Sequence, residues 1–230
     1  MAHRPFFLAR AGPEWSLGRM KSQPDFRHED SARARGFRRI AGLDEVGRGP
    51  LAGPVMAAAV VLDPARIPDG LNDSKQLTRR RREALYETLC DVADVGIGSA
   101  SVREIEELNI LQASHLAMLR AIAALSAPAD FALIDGNRVP RGLNLPAETL
   151  VKGDTRSLSI AAASIVAKVG RDRVMVDLAQ QHPGYGWDRN MGYPTAEHKA
   201  GLKSHGVSQH HRRTLAPVHK MLWQAENLSD

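Results

Sequence analysis

The spacing of apolar residues predicts β-strands and α-helices from about residue 40 onward. Short apolar runs indicate buried strands, and apolar residues that recur every three or four positions indicate amphipathic helices. The predicted strands cover residues 40–44, 55–62, 92–102, 131–134 and 150–151. The predicted helices cover residues 78–90, 104–109, 110–125, 157–181, 195–205 and 217–224. This order is typical of an α/β domain with a mixed sheet flanked by helices and a helical C-terminal part.

The first 37 residues differ from the rest of the chain. They contain scattered Pro, Gly and Arg without sustained apolar periodicity, and residues 1–39 hold nine basic and four acidic side chains. This excess equals the whole net charge of +5, so the remaining chain is balanced. We therefore predict a basic, disordered extension at 1–37 and a folded domain at 38–230. Non-specific contact with nucleic acid and a transit peptide are the alternative interpretations of the extension.

The composition is that of an ordinary globular protein, with 43% hydrophobic and 25% charged residues. The single cysteine, Cys90, excludes an internal disulfide and gives no metal-finger spacing. No apolar run approaches the roughly 18 residues of a membrane span, and no signal-peptide pattern opens the chain. These features predict a cytoplasmic protein without membrane contact, and nothing in them requires more than a monomer.

Four acidic residues occupy positions where a solvated acid is uncommon. Asp44 and Glu45 end an apolar strand and lead into a glycine turn. Asp135 directly follows the FALI strand, and Asp154 precedes a helix of small residues. Carboxylates at strand ends and helix starts can converge on one edge of an open sheet. Such a cluster repels itself unless cations neutralise it, and Mg²⁺ or Mn²⁺ prefers oxygen ligands. Two such ions about 3.5–4 Å apart can activate water and stabilise the leaving oxygen of a phosphodiester.

Each acid also has a purely structural interpretation. Asp135 with Gly136 is a common turn signal. Asp154 could simply cap the helix that follows it. Asp44 and Glu45 point to opposite faces in a regular strand. They can therefore contribute to one metal site only at a strand end or a bulge. The spacing alone leaves these alternatives open.

One segment carries a resemblance to a known family. Residues 42–54, GLDEVGRGPLAGP, resemble the signature of ribonuclease HII, in which an Asp-Glu pair precedes a Gly-Arg-Gly loop. Further segments match the family in order: Asp73-Ser74-Lys75, Leu133-Ile134-Asp135-Gly136, Lys152-Gly153-Asp154, residues 159–168, Arg171-Asp172-Arg173, Gly192-Tyr193 and Glu197-His198. The matches cover about residues 40–220, and the basic extension lies outside them.

The resemblance implies specific roles for the matched residues. The implied catalytic and metal-binding set, which would hold Mn²⁺ or Mg²⁺, is Asp44, Glu45, Asp135 and Asp154. The Gly47-Arg48-Gly49 loop would recognise the ribose 2′-hydroxyl through backbone groups. Lys75 would contact backbone phosphate, and Tyr193 would lie against the sugar that follows the scissile phosphate. Taken alone, the loop is a hairpin turn, Lys75 a solvated lysine and Tyr193 an ordinary half-buried tyrosine.

The resemblance also implies a ribonuclease H-like fold, with a ribonuclease H-type catalytic domain over 38–230 that includes the C-terminal helices. The implied enzyme is an endonuclease that hydrolyses the RNA strand of RNA–DNA hybrids. It would also cut on the 5′ side of ribonucleotides embedded in duplex DNA, leaving 3′-hydroxyl and 5′-phosphate ends by divalent-metal-activated water. The implied biological role is ribonucleotide excision and removal of RNA primers.

Two other functions are compatible with the same acidic residues. A DNA nuclease of the same superfamily would keep the carboxylates but would have no use for a loop that reads the 2′-hydroxyl. A non-catalytic hybrid-binding protein would use the carboxylates structurally, although acids are poor partners for phosphates. The related ribonuclease HIII is disfavoured by Arg48-Gly49-Pro50, which matches the HII form. Residues 225–230 lack the aromatic-ending motif of sliding-clamp binders.

Three further features receive structural interpretations. The alanine-rich segment 159–168 is predicted to be a scaffold that packs on the sheet. Asp172 is predicted to be an ion-pair partner rather than a ligand. His210 and His211 are too scattered from the other histidines for a metal motif, and no role is assigned to them.

Overall fold

The computed structural model describes residues 23–226, which contain five strands and eight α-helices. The strands are β1 (Ile40–Val46), β2 (Val55–Val61), β3 (Asp94–Ala100), β4 (Phe131–Asp135) and β5 (Ala147–Leu150). The helices are α1 (Arg27–Ala34), α2 (Arg79–Val92), α3 (Val102–Leu108), α4 (Ile110–Ala123), α5 (Leu158–Gln181), α6 (Trp187–Asn190), α7 (Ala196–His205) and α8 (Ala216–Glu226). Two short 3-10 turns, Ser74–Gln76 and Gly153–Thr155, lie near sheet edges.

The five strands form one mixed sheet in the order β3-β2-β1-β4-β5. Strands β1, β2 and β3 pair antiparallel, whereas β1, β4 and β5 run parallel to one another. The β1–β4 pairing ends with Leu43 opposite Ile134. Asp44 and Asp135 are the next residues of their strands, so both lie at the carboxyl edge of the parallel half of the sheet. The predicted mixed α/β architecture is confirmed.

Helices α4 and α5 cover opposite faces of this sheet. Alternate residues of β2 face them, since Ala58 packs in the cluster with α5 and Ala57 in the cluster with α4. Small residues bring the layers close together. A side-chain carbon built on Gly42 would lie 2.1 Å from the carbonyl carbon of Ser159, so β1 and α5 approach at a distance that only glycine allows. The predicted scaffold role of residues 159–168 is confirmed, because most of them are buried against the sheet.

Local sequence signals explain where most helices begin. Thr78 caps α2 by accepting a hydrogen bond from the amide of Arg81, as predicted. Ser101 caps α3 with a reciprocal contact to Glu104, which forms a capping box. The predicted strand 92–102 is shorter in the structure, because α2 continues to Val92 and α3 begins at Val102.

Helix α1 lies inside the segment predicted to be a disordered extension, and that prediction is wrong for residues 27–34. The carboxylate of Glu29 is buried and accepts hydrogen bonds from Oγ of Ser157 at 2.6 Å and from the amide of Ser159 at 2.8 Å. The buried carboxylate of Glu29 at the start of α5, together with the fully buried Ala32, therefore anchors α1, which presents no continuous apolar stripe. Apolar periodicity could not reveal such a helix. Residues 1–22 of the predicted extension lie outside the described residues.

The helices after α5 form the predicted helical C-terminal part. They enclose an apolar cluster that includes Trp187, Tyr185 and Leu202 and extends to Leu51 of the glycine-rich segment. Through this cluster the C-terminal helices pack against the loop between β1 and β2. None of the helices in residues 23–226 is long and apolar enough to cross a membrane.

Candidate active site

Three of the four predicted acidic residues meet at the carboxyl edge of β1, β4 and β5. Burial raises the pKa of Asp44 well above its usual value, and the neighbouring charges of Glu45 and Asp135 add to this shift. Asp154, in the 3-10 turn after β5, acts on Asp44 in the same direction. Asp44 is only 7% exposed, so water cannot screen these charges effectively. Residues from two neighbouring strands and from the 3-10 turn after β5 thus form one carboxylate cluster.

Glu45 reaches this edge from the opposite face of β1. The pairing of β1 with β2 continues without a bulge through Val46, so Asp44 and Glu45 alternate as in a regular strand. On the other side of β1, pairing with β4 has already ended at Leu43. The Asp-Glu pair therefore lies at a strand end on the side of Asp135. Glu45 and Asp135 line one cavity of about 350 Å³.

Each of these carboxylates is also engaged by a neighbouring donor. The amide of Glu45 donates to Oδ1 of Asp44 at 2.7 Å, and the amide of Gly153 donates to Oδ1 of Asp135 at 2.6 Å. Arg48 forms an ion pair with Oε1 of Glu45 at 3.1 Å. As they stand, no three His, Cys, Asp or Glu side chains of residues 23–226 are grouped so that they could hold a metal ion.

Asp154 is not the cap of α5. That position belongs to Ser157, which accepts a hydrogen bond from the amide of Ile160, so the capping interpretation of Asp154 is wrong. Burial, together with the charges of Asp73 and Asp135, raises the pKa of Asp154 to about 6. Asp73 belongs to a matched segment but was not singled out from the sequence.

Lys75 lies beside the carboxylate cluster. Burial would lower the pKa of Lys75, but the charges of Asp73 and Asp44 outweigh it and raise the pKa. Asp154 and Asp135 act in the same direction. Its ammonium is one cationic neighbour of this edge, beside Arg48, which pairs with Glu45.

The glycine-rich loop and Tyr193 meet next to the acids. Gly47 has φ +95°, which favours glycine over any residue with a side chain. A side-chain carbon built on Gly49 would lie 3.5 Å from Cε1 of Tyr193, so the ring lies against the bare backbone of the loop. Tyr193 is 41% exposed. The loop and an accessible aromatic ring thus share one surface.

Comparison with known proteins places this arrangement in a family. The family model described as Ribonuclease HII matches residues 41–226. The chain belongs to the ribonuclease HII family. It is 63% identical over 220 residues to the ribonuclease HII of Ruegeria pomeroyi, covering 96% of this chain and 94% of that protein. It is 65% identical over 195 residues to that of Roseobacter denitrificans, covering 85% and 98%. The first of these alignments includes α1, since it leaves only a few residues of the chain uncovered.

Solved structures share the ribonuclease HII fold. Ribonuclease H2 from Pyrococcus horikoshii OT3 has a TM-score of 0.69 at 27% identity, covering 82% of this chain and 99% of that one. Ribonuclease HII from Archaeoglobus fulgidus, solved in a complex with PCNA, has a TM-score of 0.63 at 26% identity, covering 77% and 95%. A Bst ribonuclease HIII solved in complex with Mn²⁺ shares the fold at 19% identity and a TM-score of 0.65, covering 86% and 73%. The predicted ribonuclease H-like fold is confirmed.

The cavity beside Glu45 and Asp135 contains residues that the ribonuclease HII resemblance did not assign. They are His115 of α4 and the loop residues Asn137 and Arg138. Nδ1 of His115 is buried and has no hydrogen-bond partner within the described part of the chain. In the sequence, Asn137 and Arg138 directly follow the Asp135-Gly136 motif. Apolar periodicity does not point to such polar residues.

Two histidines that received no role are also close to this ribonuclease HII site. His198 and His211 are buried, and their Nε2 atoms lie 3.0 Å apart. Asp172 forms the predicted ion pair, with Nζ of Lys168 at 2.7 Å rather than with a neighbouring arginine.

Proposed function

We propose that this member of the ribonuclease HII family is an endonuclease that hydrolyses RNA paired with DNA. We further propose that it cuts on the 5′ side of ribonucleotides embedded in duplex DNA and leaves 3′-hydroxyl and 5′-phosphate ends. Ribonucleotide excision and removal of RNA primers, by a monomer in the cytoplasm, follow from the same proposal. The observation that carries it is the meeting of the carboxylate cluster with the glycine-rich loop and Tyr193 at one sheet edge.

The chemistry of the carboxylate cluster fits a divalent cation. Its donors are hard oxygen atoms, and their mutual repulsion raises the pKa of Asp44 and Asp154. A bound dication would remove that repulsion, and Mn²⁺ or Mg²⁺ is the ion we propose. Because Asp44, Asp135 and Glu45 each engage a neighbouring donor, binding requires these side chains to turn toward the ion. We assign Asp44, Glu45, Asp135 and Asp154 as the ligand set.

The residues of the chain then have distinct tasks in hydrolysis. When bound, the cation would lower the pKa of water and would neutralise the negative charge that develops on the departing 3′ oxygen. Asp44 and Asp135 would hold the cation at the carboxyl edge of the parallel strands, beside the scissile phosphate. Lys75 would fix a neighbouring phosphate of the substrate, and Arg48 would be released from Glu45 as that carboxylate turns. Positioning of this kind converts a slow bimolecular attack into a step between oriented groups.

The Gly47-Arg48-Gly49 loop is the part that we assign to ribose recognition. The 2′-hydroxyl is the group that distinguishes RNA from DNA, and it can both donate and accept a hydrogen bond. A loop whose backbone is bare at Gly49 can approach a sugar closely. The Tyr193 ring beside Gly49 would then pack against the sugar that follows the scissile phosphate.

The decisive experiment compares two duplexes of the same sequence, one with a single ribonucleotide and one of DNA alone. With Mn²⁺ or Mg²⁺, we expect one cut on the 5′ side of the ribonucleotide and none in the DNA duplex. Mapping of the products should give 3′-hydroxyl and 5′-phosphate ends. Equal cutting of both duplexes would instead identify a DNA nuclease. Binding without cleavage under any divalent ion would identify a hybrid-binding protein, and either result would reject the proposal.

A further inference from the structure

Two arginines lie fully buried behind the glycine-rich loop. Arg171 of α5 is 0% exposed and Arg212, before α8, is 1% exposed. Neither forms an ion pair with any acid in residues 23–226. Burial lowers the pKa of Arg171 to about 10 and that of Arg212 to about 9. Buried cations without a counter-charge are costly, so their polar contacts must be extensive.

Arg171 binds backbone carbonyl groups from two segments of the site. Its guanidinium donates to the carbonyl oxygens of Pro54 at 2.9 Å and Ala52 at 3.0 Å. It also donates to the carbonyl oxygen of Met191 at 2.9 Å, two residues before Tyr193. One planar group thus joins the end of the glycine-rich segment to the segment that carries Tyr193.

Arg212 binds the other half of the same segment. It donates to the carbonyl oxygens of Gly47 at 2.6 Å and Arg48 at 3.0 Å. It reaches Gly53 through two of its nitrogens, at 2.8 and 3.0 Å. A guanidinium has five N–H donors in a rigid planar arrangement, so it can donate to several carbonyl oxygens that lie around it. The ammonium of lysine is a single point charge and cannot reach all of these oxygens at once.

These contacts determine where the peptide N–H groups of the loop point. A trans peptide is planar, so its N–H points away from its carbonyl. The carbonyls of Gly47 and Arg48 point inward to Arg212, and the peptides of the described residues are trans. The N–H groups of Arg48 and Gly49 therefore point away from Arg212, and both residues are exposed. Neither N–H donates to another group within residues 23–226.

We propose that Arg171 and Arg212 are positioning residues that set the preference for ribose over deoxyribose. Arg212 holds the inner carbonyls of Gly47 and Arg48, and Arg171 holds the carbonyls of Ala52 and Pro54 that follow the loop. Together they keep the loop oriented so that the N–H groups of Arg48 and Gly49 face the 2′-oxygen of the substrate. Two adjacent N–H groups aimed at one point form a site for an oxygen acceptor. The inference rests on the proposed function, in which this loop reads the 2′-hydroxyl.

The test measures the ratio of two dissociation constants in EDTA, where a metal-dependent cut cannot occur. One duplex carries a single ribonucleotide, and its partner of the same sequence is all DNA. Arg212→Lys should reduce the preference for the ribonucleotide duplex by about tenfold. Arg171→Lys should reduce it less, because Arg171 contacts the carbonyls of Ala52 and Pro54 after the loop and none of those of Gly47 and Arg48. A ratio is independent of the fraction of folded protein, so a loss of stability alone does not change it.

Arg39→Lys is the matched control, because Arg39 donates to the carbonyls of Pro128 at 3.1 Å and Ala127 at 3.0 Å, away from the loop. The control should keep the wild-type ratio. If Arg212→Lys does not fold, Arg171→Lys carries the test. An unchanged ratio in the folded arginine variants would overturn this inference and leave the proposed function standing. A wild-type protein that binds both duplexes equally in EDTA would also overturn the inference, whereas equal cleavage of the two duplexes with Mn²⁺ would reject the proposed function.

Discussion

Nδ1 of His198 lies 2.9 Å from the carbonyl oxygen of Tyr193, so a buried imidazole holds the backbone of the exposed aromatic residue. The surrounding contacts fix the proton positions. The amide of Ser208 donates to Nδ1 of His211, which places the proton of that ring on Nε2. Nε2 of His211 then donates to Nε2 of His198 at 3.0 Å, and Trp187 donates to the same atom at 3.0 Å. Both histidines are therefore neutral.

This arrangement predicts a loss of stability in mild acid. Burial, followed by repulsion from the charge that a protonated His198 would carry, lowers the pKa of His211 to about 4. In the unfolded chain the same ring takes up a proton near pH 6.5. The free energy of unfolding should therefore fall as the pH drops from about 6.5 to about 4, by up to about 3 kcal/mol. Below that range this contribution is constant.

Urea unfolding between pH 4.5 and 7.5 measures this effect as a difference between variants. His211→Gln should be less stable than the wild type at pH 7.5, with a smaller loss toward pH 4.5. His219→Gln, which changes an exposed histidine of α8, should follow the wild-type curve. Parallel curves for wild type and His211→Gln would show that His211 is not the group responsible.

The buried acid Glu29 provides the polar anchor of helix α1. Glu29→Ala leaves Oγ of Ser157 and the amide of Ser159 without their acceptor, so we expect a loss of about 2–3 kcal/mol in the free energy of unfolding. Asp30→Ala, which removes the exposed acid next to it, should change stability by less than about 0.5 kcal/mol. Equal stabilities of the two variants in urea titrations would mean that the contacts of Glu29 do not stabilise the folded domain.

The cavity beside Glu45 and Asp135 should contribute to substrate binding. Arg138 lines that cavity and can offer a guanidinium to a phosphate of the substrate. Arg138→Ala should therefore raise KM for a hybrid by about three- to tenfold and leave kcat nearly unchanged. Arg141→Ala provides the control, because Arg141 is exposed on the same loop and does not line the cavity. A similar KM for both variants would exclude the cavity from binding.

Features that repeat along the chain were predictable from the sequence. The apolar runs of β1, β2 and β4 and the cap at Thr78 depend on nearest neighbours, so a local pattern describes them well. The position of Asp44 and Asp135 at one edge of the sheet could also be predicted from the sequence, because both residues come at the ends of apolar strands. The resemblance added the identity of the loop and of Tyr193.

Features that depend on contacts between distant residues were not predictable. Glu29 meets Ser157 across 128 positions, and Arg212 meets Gly47 across 165, so no window of sequence contains both partners. His198 and His211 look scattered in the sequence but are brought together by the packing around Trp187. Asp154 was open to interpretation as a cap until the position of Ser157 excluded it.

Cleavage of a single-ribonucleotide duplex by Asp44→Asn and Asp135→Asn tests the central claim most directly. Both variants should fold, since asparagine is nearly isosteric with aspartate and removes one of the charges whose mutual repulsion raises the pKa of Asp44. With Mn²⁺ or Mg²⁺, each should lose about a thousandfold or more in kcat, and EDTA should abolish wild-type cleavage. Near wild-type cleavage by both folded variants would contradict the assignment of these carboxylates as the catalytic centre.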